Sequence, residues 1–510
     1  MKNRTSLTTG FFIILLILLG KIIAFAKNIA ISTFFGAGSD TDAFFIALNI
    51  TSILFVAFYS TVSLVFLPLY NEQKIKYGFK ASSLFGSNII NIYLLIAFLL
   101  MSLSIVFAPE IVHSIDLSNN HERVSLTITL LRVMTLSFIF SIFVSFMTAI
   151  QFSNEQYLMP HLVPIINNMI VVLAIIFLAP KYGIFVPAIA GVVSWILQVP
   201  FHKWIVKRMF HYSFYLDFKD ARIKNMSVLF FPAFLGIFID QANLMVDTML
   251  ASGLSEGSVS AINYSSRLIS FSSGIFVMAI MSIMFPKFSK HIINSEQAKL
   301  NQLIQTGIRI LLLIMLPIMA IILVYNYEIV SIVFQRGKFS ELATKATSSV
   351  FLFYGIGIIF LGLRELFNKV FYAQKNTKIP LFISFIAVSV NIVLSIIFAR
   401  SIGVRGLALA SSISLMVYVI LQVVILKNKI GKDFYNGILA YIGQLVFAIS
   451  LSTYIMWKYK EYAYFKHDYL IFITGSFIGM LTYVLILLFL KNEEIYFLYY
   501  KMKSKLQKRI

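Results

Sequence analysis

Long, uninterrupted apolar runs recur along this chain, and they decide what it can fold into. The runs are roughly 20 to 28 residues long and show no alternation of polar and apolar positions. Because backbone inside a bilayer must satisfy its own hydrogen bonds, segments of this length cross as helices and not as barrel strands. With 59% hydrophobic and 12% charged residues in 510, the chain has more apolar surface than a soluble fold buries. The sequence therefore predicts an all-α polytopic membrane protein.

An internal repeat organises the predicted spans, of which there are about fourteen. The segment LAPKYGIFVPAIAGVVS (178–194) aligns with FARSIGVRGLALASSIS (398–414), and QFSNEQYLMP (151–160) aligns with FYAQKNTKIP (371–380) at the same offset. Six spans per repeat is an even number, so both halves enter the membrane in the same direction. We expect two six-helix lobes related by a pseudo-two-fold axis along the membrane normal.

The repeat and the loop lengths also predict the domain boundaries. The N-lobe is expected at 1–206, a cytoplasmic linker at 207–224 and the C-lobe at 225–426. The remaining residues, 427–510, hold two further helices and a basic tail. The net charge of +21 is concentrated in alternate loops and in that tail, which follows the positive-inside rule and does not indicate nucleic acid. Both termini are therefore predicted to be cytoplasmic.

Several classes of chemistry find no support in the sequence. Cysteine is absent, which excludes disulfides, thiolate metal sites and cysteine nucleophiles. The chain has no HExxH motif, no phosphate-cradling glycine loop and no Ser/His/Asp grouping. The extramembrane loops are too short to form a catalytic domain. We therefore expect a protein that is not an enzyme and has no cofactor and no firm metal site.

Two lysines lie within the first apolar run, where charge is costly. Lys21 and Lys27 are six residues apart, about 120° and 9 Å on a helix, so both can border a broad cavity without forming one stripe. Charged side chains at membrane depth normally face a wet interior or a partner. The structural alternative is snorkelling, in which the lysine stem lies in lipid and the ammonium reaches the headgroups.

An acid and an arginine are further candidates for a cavity lining. Asp42 lies at the mouth of the second span, after a Gly-Ala-Gly turn, and its alternative role is to cap that helix. Arg267 lies early in the eighth span, and a guanidinium that cannot be neutralised must find an anion. That anion is a phosphate of a ligand or, in the structural alternative, Asp247.

Polar side chains in the later spans suggest a possible ion-coupling site. Asp240 and Asp247 are seven residues apart and so lie on one face of the seventh span. Carboxylates in lipid pair, take up a proton or coordinate a cation. Asn391 in the eleventh span is another candidate, although an isolated Asn in a membrane helix commonly joins two helices.

Six segments spread over nearly the whole chain resemble the lipid II flippase family, also called MurJ or MviN. This family lies within the multidrug/oligosaccharidyl-lipid/polysaccharide exporter superfamily. The segments are FAKNIAISTFFGAGSDTDAFFIA (25–47), FLPLYNE (66–72), NYSSRLISFSSGIF (263–276), FQRGKF (334–339), FYAQKNTKIP (371–380) and GLALASSIS (406–414). The combination of FGAG-x-x-TDAFF with FYA-x-x-x-TK-x-P is specific to the family.

The resemblance implies a central cavity that engages a lipid-linked diphosphate sugar. The family residues that line it fall on Lys21, Lys27, Asp42 and Arg267. The family usually has arginine at the two lysine positions. A second-span arginine of the family falls on Phe55, and a nearby glutamate falls on Ser60.

The resemblance also implies a sodium site in some members. Here Asp247, Asn391 and Ser411 would supply oxygens to Na⁺, while Ser395 stands where an acid is expected.

The expected function is transport of an undecaprenyl-diphosphate-linked sugar, lipid II in first place, from the inner to the outer leaflet of a bacterial cytoplasmic membrane. The expected driving force is the membrane potential, with Na⁺ or H⁺ as coupling ions. Expected partners are this substrate, membrane lipids and cell-wall synthases. The alternatives are a flippase for a capsule, O-antigen or teichoic precursor, and a cation/drug antiporter of the same superfamily, which would favour an acidic cavity.

Overall fold

The computed structural model describes residues 2–431, 437–463 and 467–496, and these residues form helices joined by short connections. The helices are α1 (Lys2–Phe35), α2 (Ser39–Val106), α3 (Ala108–Ile115), α4 (His121–Thr135), α5 (Ser137–Ser153), α6 (Leu158–Tyr182), α7 (Phe185–Val206), α8 (Ala221–Ser252), α9 (Ser258–Ile293), α10 (Gln297–Phe334), α11 (Glu341–Ala373), α12 (Lys378–Ile402), α13 (Val404–Ile430), α14 (Ile438–Tyr462) and α15 (Asp468–Phe489).

Thirteen helical segments of the described residues are long and apolar enough to cross a membrane. One of them, α2, is 68 residues long and is interrupted at Gly78, whose φ of 80° and ψ of −176° are not helical. At 1.5 Å per residue, α2 is far longer than a bilayer is thick, so it forms two crossings. The prediction of an all-α polytopic membrane protein is confirmed, with about fourteen spans.

The chain divides into two compact units. The first contains Met1–Asn263 and Arg336–Ser340, and the second contains Tyr264–Gln335 and Glu341–Ile510. α8 belongs to the first unit because it packs along α2. The sequence repeat predicts a different kind of boundary, at 207–224, between two halves related by symmetry. That boundary stays a prediction.

The first unit packs around an aromatic core between α2, α5, α7 and α8. Phe58 contacts Phe138 and Phe230 edge to face, and Phe66 contacts Phe146 in the same way. Phe55, which stands where the family resemblance places an arginine, is buried and stacked on Phe138 with 3.8 Å between ring centroids. This position is therefore part of a dry core.

The second unit is built around two groups of helices. α10 and α11 pack on each other, and α13 packs on both α11 and α12. α14 and α15 pack together and against α10. Polar side chains hold α14 to α10. The Lys460 ammonium lies 2.7 Å from the Glu328 carboxylate, and the Tyr325 hydroxyl donates to the carbonyl of Met456.

The repeated sequence segments have the same local backbone. Gly183 between α6 and α7 has φ 62° and ψ −150°, and Gly403 between α12 and α13 has φ 65° and ψ −144°. Glu155 and Lys375, in the turns that precede α6 and α12, both have left-handed φ, at 59° and 58°. Each half of the repeat therefore turns at the same points of the chain, and at Gly183 and Gly403 the positive φ favours glycine.

A close backbone contact joins the end of α1 to the loop 336–340. Lys338 donates its amide hydrogen to the carbonyl of Thr33 at 2.8 Å, and Gly337 has φ 58°. A Cβ at Gly337 would overlap the Thr33 carbonyl oxygen, whereas a Cβ at Gly183 would meet nothing within 4 Å. Position 337 therefore requires glycine, which adopts a positive φ readily and has no Cβ to overlap the Thr33 carbonyl.

We expect Gly337→Ala to destabilise the protein much more than Gly183→Ala. The Gly183 variant suffers only backbone strain, of about 1–3 kcal/mol, whereas the Gly337 variant adds a clash with backbone that cannot rotate away. Thermal unfolding of the two purified variants in detergent measures the difference. Equal melting temperatures would contradict the assignment of a tight contact at Thr33.

Candidate functional site

The two lysines of α1 lie on a helix that the rest of the protein covers only in part. Lys21 and Lys27 are both half-buried, and α1 packs along α6, with Gly20 next to Ile165. The side chains of both lysines are therefore partly covered by protein and partly exposed. Both residues belong to the first unit.

Asp42 is enclosed and holds the beginning of another helix. Its side chain is 0% exposed. One carboxylate oxygen, Oδ2, accepts a hydrogen bond from the amide of Gly257 at 2.8 Å. The other, Oδ1, accepts from the amide of Ser260 at 2.8 Å and from its hydroxyl at 2.6 Å. These amides are the free donors at the start of α9, where an anion is also favoured by the helix dipole. Asp42 thus caps α9 across space, and its contact with a substrate stays a prediction.

A buried arginine joins this cap to α3, α4 and α8. The Arg123 guanidinium lies 3.7 Å from the Asp42 carboxylate and makes a two-pronged ion pair with Asp116. It also donates to the carbonyl of Ser252 at 2.7 Å. The Ser252 hydroxyl accepts from the amide of Leu117 at 2.9 Å. We call Asp42, Asp116, Arg123, Ser252 and Ser260 the latch.

One more contact extends the latch to the first turn of α2. The Glu256 carboxylate accepts a hydrogen bond from the amide of Ser39 at 2.7 Å. The α9 end of the α8–α9 connection is therefore fixed directly to the start of α2, and its α8 end is held by Arg123. The sequence singled out Asp42 but not Arg123 or Asp116. The available signal was an arginine three residues after the helix-capping Asn120, and it does not reveal a partner far away in the chain.

Arg267 lies in the second unit and has an exposed side chain, although its neighbours Ser265 and Leu268 are buried. Ser265 donates its hydroxyl to the carbonyl of Thr347 at 2.9 Å, which ties this stretch of α9 to α11. The guanidinium thus keeps accessible surface in a membrane-spanning helix, where its forked donors suit an anionic ligand. Whether Arg267, Lys21 and Lys27 line one cavity stays a prediction.

The ion-coupling candidates fall in two places. In the second unit, Asn391 is fully buried, donates to the Ser411 hydroxyl at 3.1 Å and lies 3.4 Å from the Ser395 hydroxyl. The predicted neighbours Asn391 and Ser411 are thus brought together. Asp247 is 3% exposed and belongs to the first unit. The side chain of Asp240 lies outside the described residues.

Within the described residues, no group of three or more His, Asp or Glu side chains could hold a metal ion. Asn391, Ser395 and Ser411 offer oxygens but no negative charge, so by themselves they suit a hydrogen-bonded helix contact better than a bound cation. The sodium site that the resemblance implies stays a prediction.

Known proteins resemble this chain over almost its full length. The family model described as "Lipid II flippase MurJ" matches residues 31–477. The probable lipid II flippase MurJ of Borreliella burgdorferi is 28% identical, over 81% of this chain and 82% of the relative. That of Thermotoga maritima is 26% identical, over 93% of this chain and 94% of the relative.

Solved structures of known proteins also resemble this chain. One described as "Lipid II flippase MurJ, inward closed conformation" aligns with a TM-score of 0.79 and 26% identity, covering 96% of this chain and 98% of that chain. An inward-facing multidrug resistance MATE transporter of the MOP superfamily aligns with a TM-score of 0.67 and 13% identity, covering 82% and 96%, and this likeness shows the fold alone. The chain belongs to the lipid II flippase MurJ family.

Proposed function

We propose that this protein carries lipid II, an undecaprenyl-diphosphate-linked peptidoglycan precursor, from the inner to the outer leaflet of the bacterial cytoplasmic membrane. Membership of the MurJ family supports the substrate class. The observation that carries the proposal within this chain is the presence of cations in its membrane-spanning helices: Lys21 and Lys27 on α1 and an exposed Arg267 on α9.

Those cations fit a diphosphate for electrostatic reasons. A diphosphate loses its hydration when it leaves the headgroup region, and ammonium and guanidinium donors replace water with charge-assisted hydrogen bonds. Arg267 offers a forked pair of donors, whereas the two lysines act as point charges. The prenyl chain needs no such support and stays in lipid. These three residues are basic, whereas a cation antiporter would favour an acidic cavity.

The latch provides the gate that alternating access requires. Its carboxylates and Arg123 are all buried, so the latch is a closed contact within the protein. α9 begins in the first unit and continues into the second after Asn263. We infer that release of the Asp42 cap frees the start of α9 and opens the outer end. Re-formation of the same hydrogen bonds closes it again.

The membrane potential supplies a driving force without ATP. A headgroup with about two negative charges gains roughly 4 to 5 kcal/mol per 100 mV on leaving a negative-inside cell. The sign of the potential alone makes the outward direction the favourable one for an anionic headgroup. Na⁺ or H⁺ would add to this driving force only if a carboxylate such as Asp247 bound it.

We expect the double variant Lys27→Ala/Arg267→Ala to lower outer-leaflet lipid II at least tenfold, because each lost charge-assisted hydrogen bond costs about 1.5–3 kcal/mol. The measurement is the amount of lipid II accessible to an external hydrolase in cells that depend on this protein. Lys345→Ala/Arg400→Ala removes two exposed cations elsewhere and serves as the control. Unchanged export at normal protein levels would refute the cavity assignment.

We expect Asp42→Asn to open the latch, since the Asn side chain keeps one acceptor oxygen, places an NH2 group against the other α9 donor and removes the negative charge beside Arg123. The chain has no cysteine, so Thr41→Cys, at a fully buried position, reports on opening through a membrane-impermeant maleimide. Labelling should be about tenfold faster or more with Asp42→Asn.

Asp40→Cys, at the exposed neighbouring position, controls for access to the reagent. It should label equally fast with and without Asp42→Asn. Slow labelling of Thr41→Cys in both backgrounds would show that Asp42 does not hold the gate.

We expect that collapse of the membrane potential by valinomycin with external K⁺ stops net export, because the roughly 4 to 5 kcal/mol bias disappears. The assay is lipid II accessibility in vesicles with the protein in the native orientation. A potential of reversed sign should drive lipid II in the opposite direction. Export that is unaffected at zero potential but needs a Na⁺ or H⁺ gradient would replace potential with ion coupling.

A further inference from the structure

The connection between α7 and α8 is an extended segment clamped to α2. We call residues 210–218 the strap. Four buried polar residues of α2, spaced to share one helix face, lie beneath it: Ser83, Ser87, Asn88 and Asn91. A polar stripe in a membrane helix needs a cover that can accept and donate hydrogen bonds, and the strap is that cover.

Hydrogen bonds to alternate residues of the strap hold its backbone. Asn88 donates to the carbonyl of Asp217 at 3.0 Å and accepts from its amide at 2.8 Å, as a neighbouring strand would. Asn91 donates to the carbonyl of Tyr215 at 2.9 Å, and Ser87 accepts from the amide of Ser213 at 3.1 Å. Residues 213, 215 and 217 therefore turn their backbone polar groups towards α2.

The residues between 213, 215 and 217 and beyond leave large apolar side chains uncovered: Phe214, Leu216 and Phe218 are exposed, Phe214 at 84%. Tyr212 is also exposed, but its hydroxyl donates to the Asn91 side chain at 2.6 Å, so this ring leans back on α2 and is not part of the row. Large apolar side chains at every second position form a row along one edge of an extended segment. In a cytosolic loop such a row would face water at a considerable hydrophobic cost.

The row continues onto the neighbouring turn of α2. The rings of Phe79 and His211 are 5.9 Å apart, and Ile75 and Tyr77 in the same turn are exposed. Exposed cations precede and follow these segments in the chain: Lys80, Lys207, Arg208, Lys219 and Lys224. Lys76 is exposed as well but forms an ion pair with Glu72. Aromatic residues next to lysine and arginine are typical of a membrane–water interface.

Helix geometry places the strap at that depth. The second half of α2, residues 79–106, is about 42 Å long, close to the 40–45 Å of a bilayer with its headgroups. The clamp residues lie about 6 to 18 Å from the beginning of that helix. The strap therefore lies at the boundary of headgroups and acyl chains.

We propose that the strap and the turn 75–80 form an interfacial anchor that binds an anionic lipid leaflet. The aromatic row inserts among the acyl chains, and the flanking cations bind anionic headgroups. With the orientation proposed above, this is the cytoplasmic leaflet. The anchor is a lipid contact of the scaffold and does not depend on which lipid-linked sugar is transported.

The absence of cysteine makes a direct test possible. An environment-sensitive nitrobenzoxadiazole probe is attached to Phe214→Cys in vesicles of phosphatidylcholine with or without phosphatidylglycerol. We expect blue-shifted emission and quenching by lipids spin-labelled near the headgroup. A probe at Lys299→Cys, an exposed position at the start of α10, should keep water-like emission.

Two sets of substitutions separate the parts of the proposal. Asn88→Ala/Asn91→Ala removes the clamp and should return the probe at 214 towards water-like emission. The combined variant Lys207→Gln/Arg208→Gln/Lys219→Gln/Lys224→Gln should reduce the phosphatidylglycerol-dependent part of the quenching about tenfold or more, and leave the signal in pure phosphatidylcholine unchanged. Thermal unfolding identifies variants that have lost the fold.

Three results would overturn the proposal. Emission at 214 as water-like as that at 299 would place the strap in solution. Quenching without any dependence on phosphatidylglycerol would remove the anionic lipid from the proposal. A probe that is water-like in lipid vesicles but shielded in native membranes would assign the aromatic row to a protein partner.

Discussion

A backbone hydrogen bond cannot be left unmade in hydrocarbon, and this constraint governs each part of the structure. Helices satisfy it by themselves, which is why nearly every described residue at membrane depth is helical. The informative places are those where a helix begins or where the chain leaves helical geometry. At the start of α9 the free amides are taken by Asp42, and along the strap the backbone is paired by the side-chain amides of Asn88 and Asn91. At these two places, polar side chains mark the positions where backbone needs a partner.

The same constraint sorts the charges of the chain by what surrounds them. Asp42, Asp116 and Arg123 are buried together and stabilise the fold only as a matched set, since removal of one leaves the others uncompensated. A matched set can open and close as a unit, which suits a gate. Lys21, Lys27 and Arg267 retain accessible side-chain surface, which suits contact with a ligand that carries its own charge. Burial, and not residue type, distinguishes the two roles.

Much of this could be predicted from the sequence, and the exceptions have a common cause. The lengths of the apolar runs predicted the fold class, and the repeat pointed to Gly183 and Gly403, whose backbones match. Asp42 was recognisable as a helix cap, but the expected helix was its own, whereas it caps α9, more than two hundred residues away. Hydropathy and helix periodicity describe one segment at a time. They do not pair Asp42 with Arg123, or Asn91 with the strap, because those contacts depend on how segments pack.

Phe55 shows how a departure from a family pattern is absorbed. An arginine at this position would need an anion or water, but here the space is filled by the ring of Phe138 stacked on Phe55. The absence of an arginine here therefore leaves no cavity for another charged side chain to occupy, because the surrounding residues are aromatic and exclude water. Under the proposed function, recognition of the diphosphate would rest on fewer cations, and a larger share would fall to Lys21, Lys27 and Arg267. A change of headgroup selectivity would then act through these three residues and not through the aromatic core around Phe55.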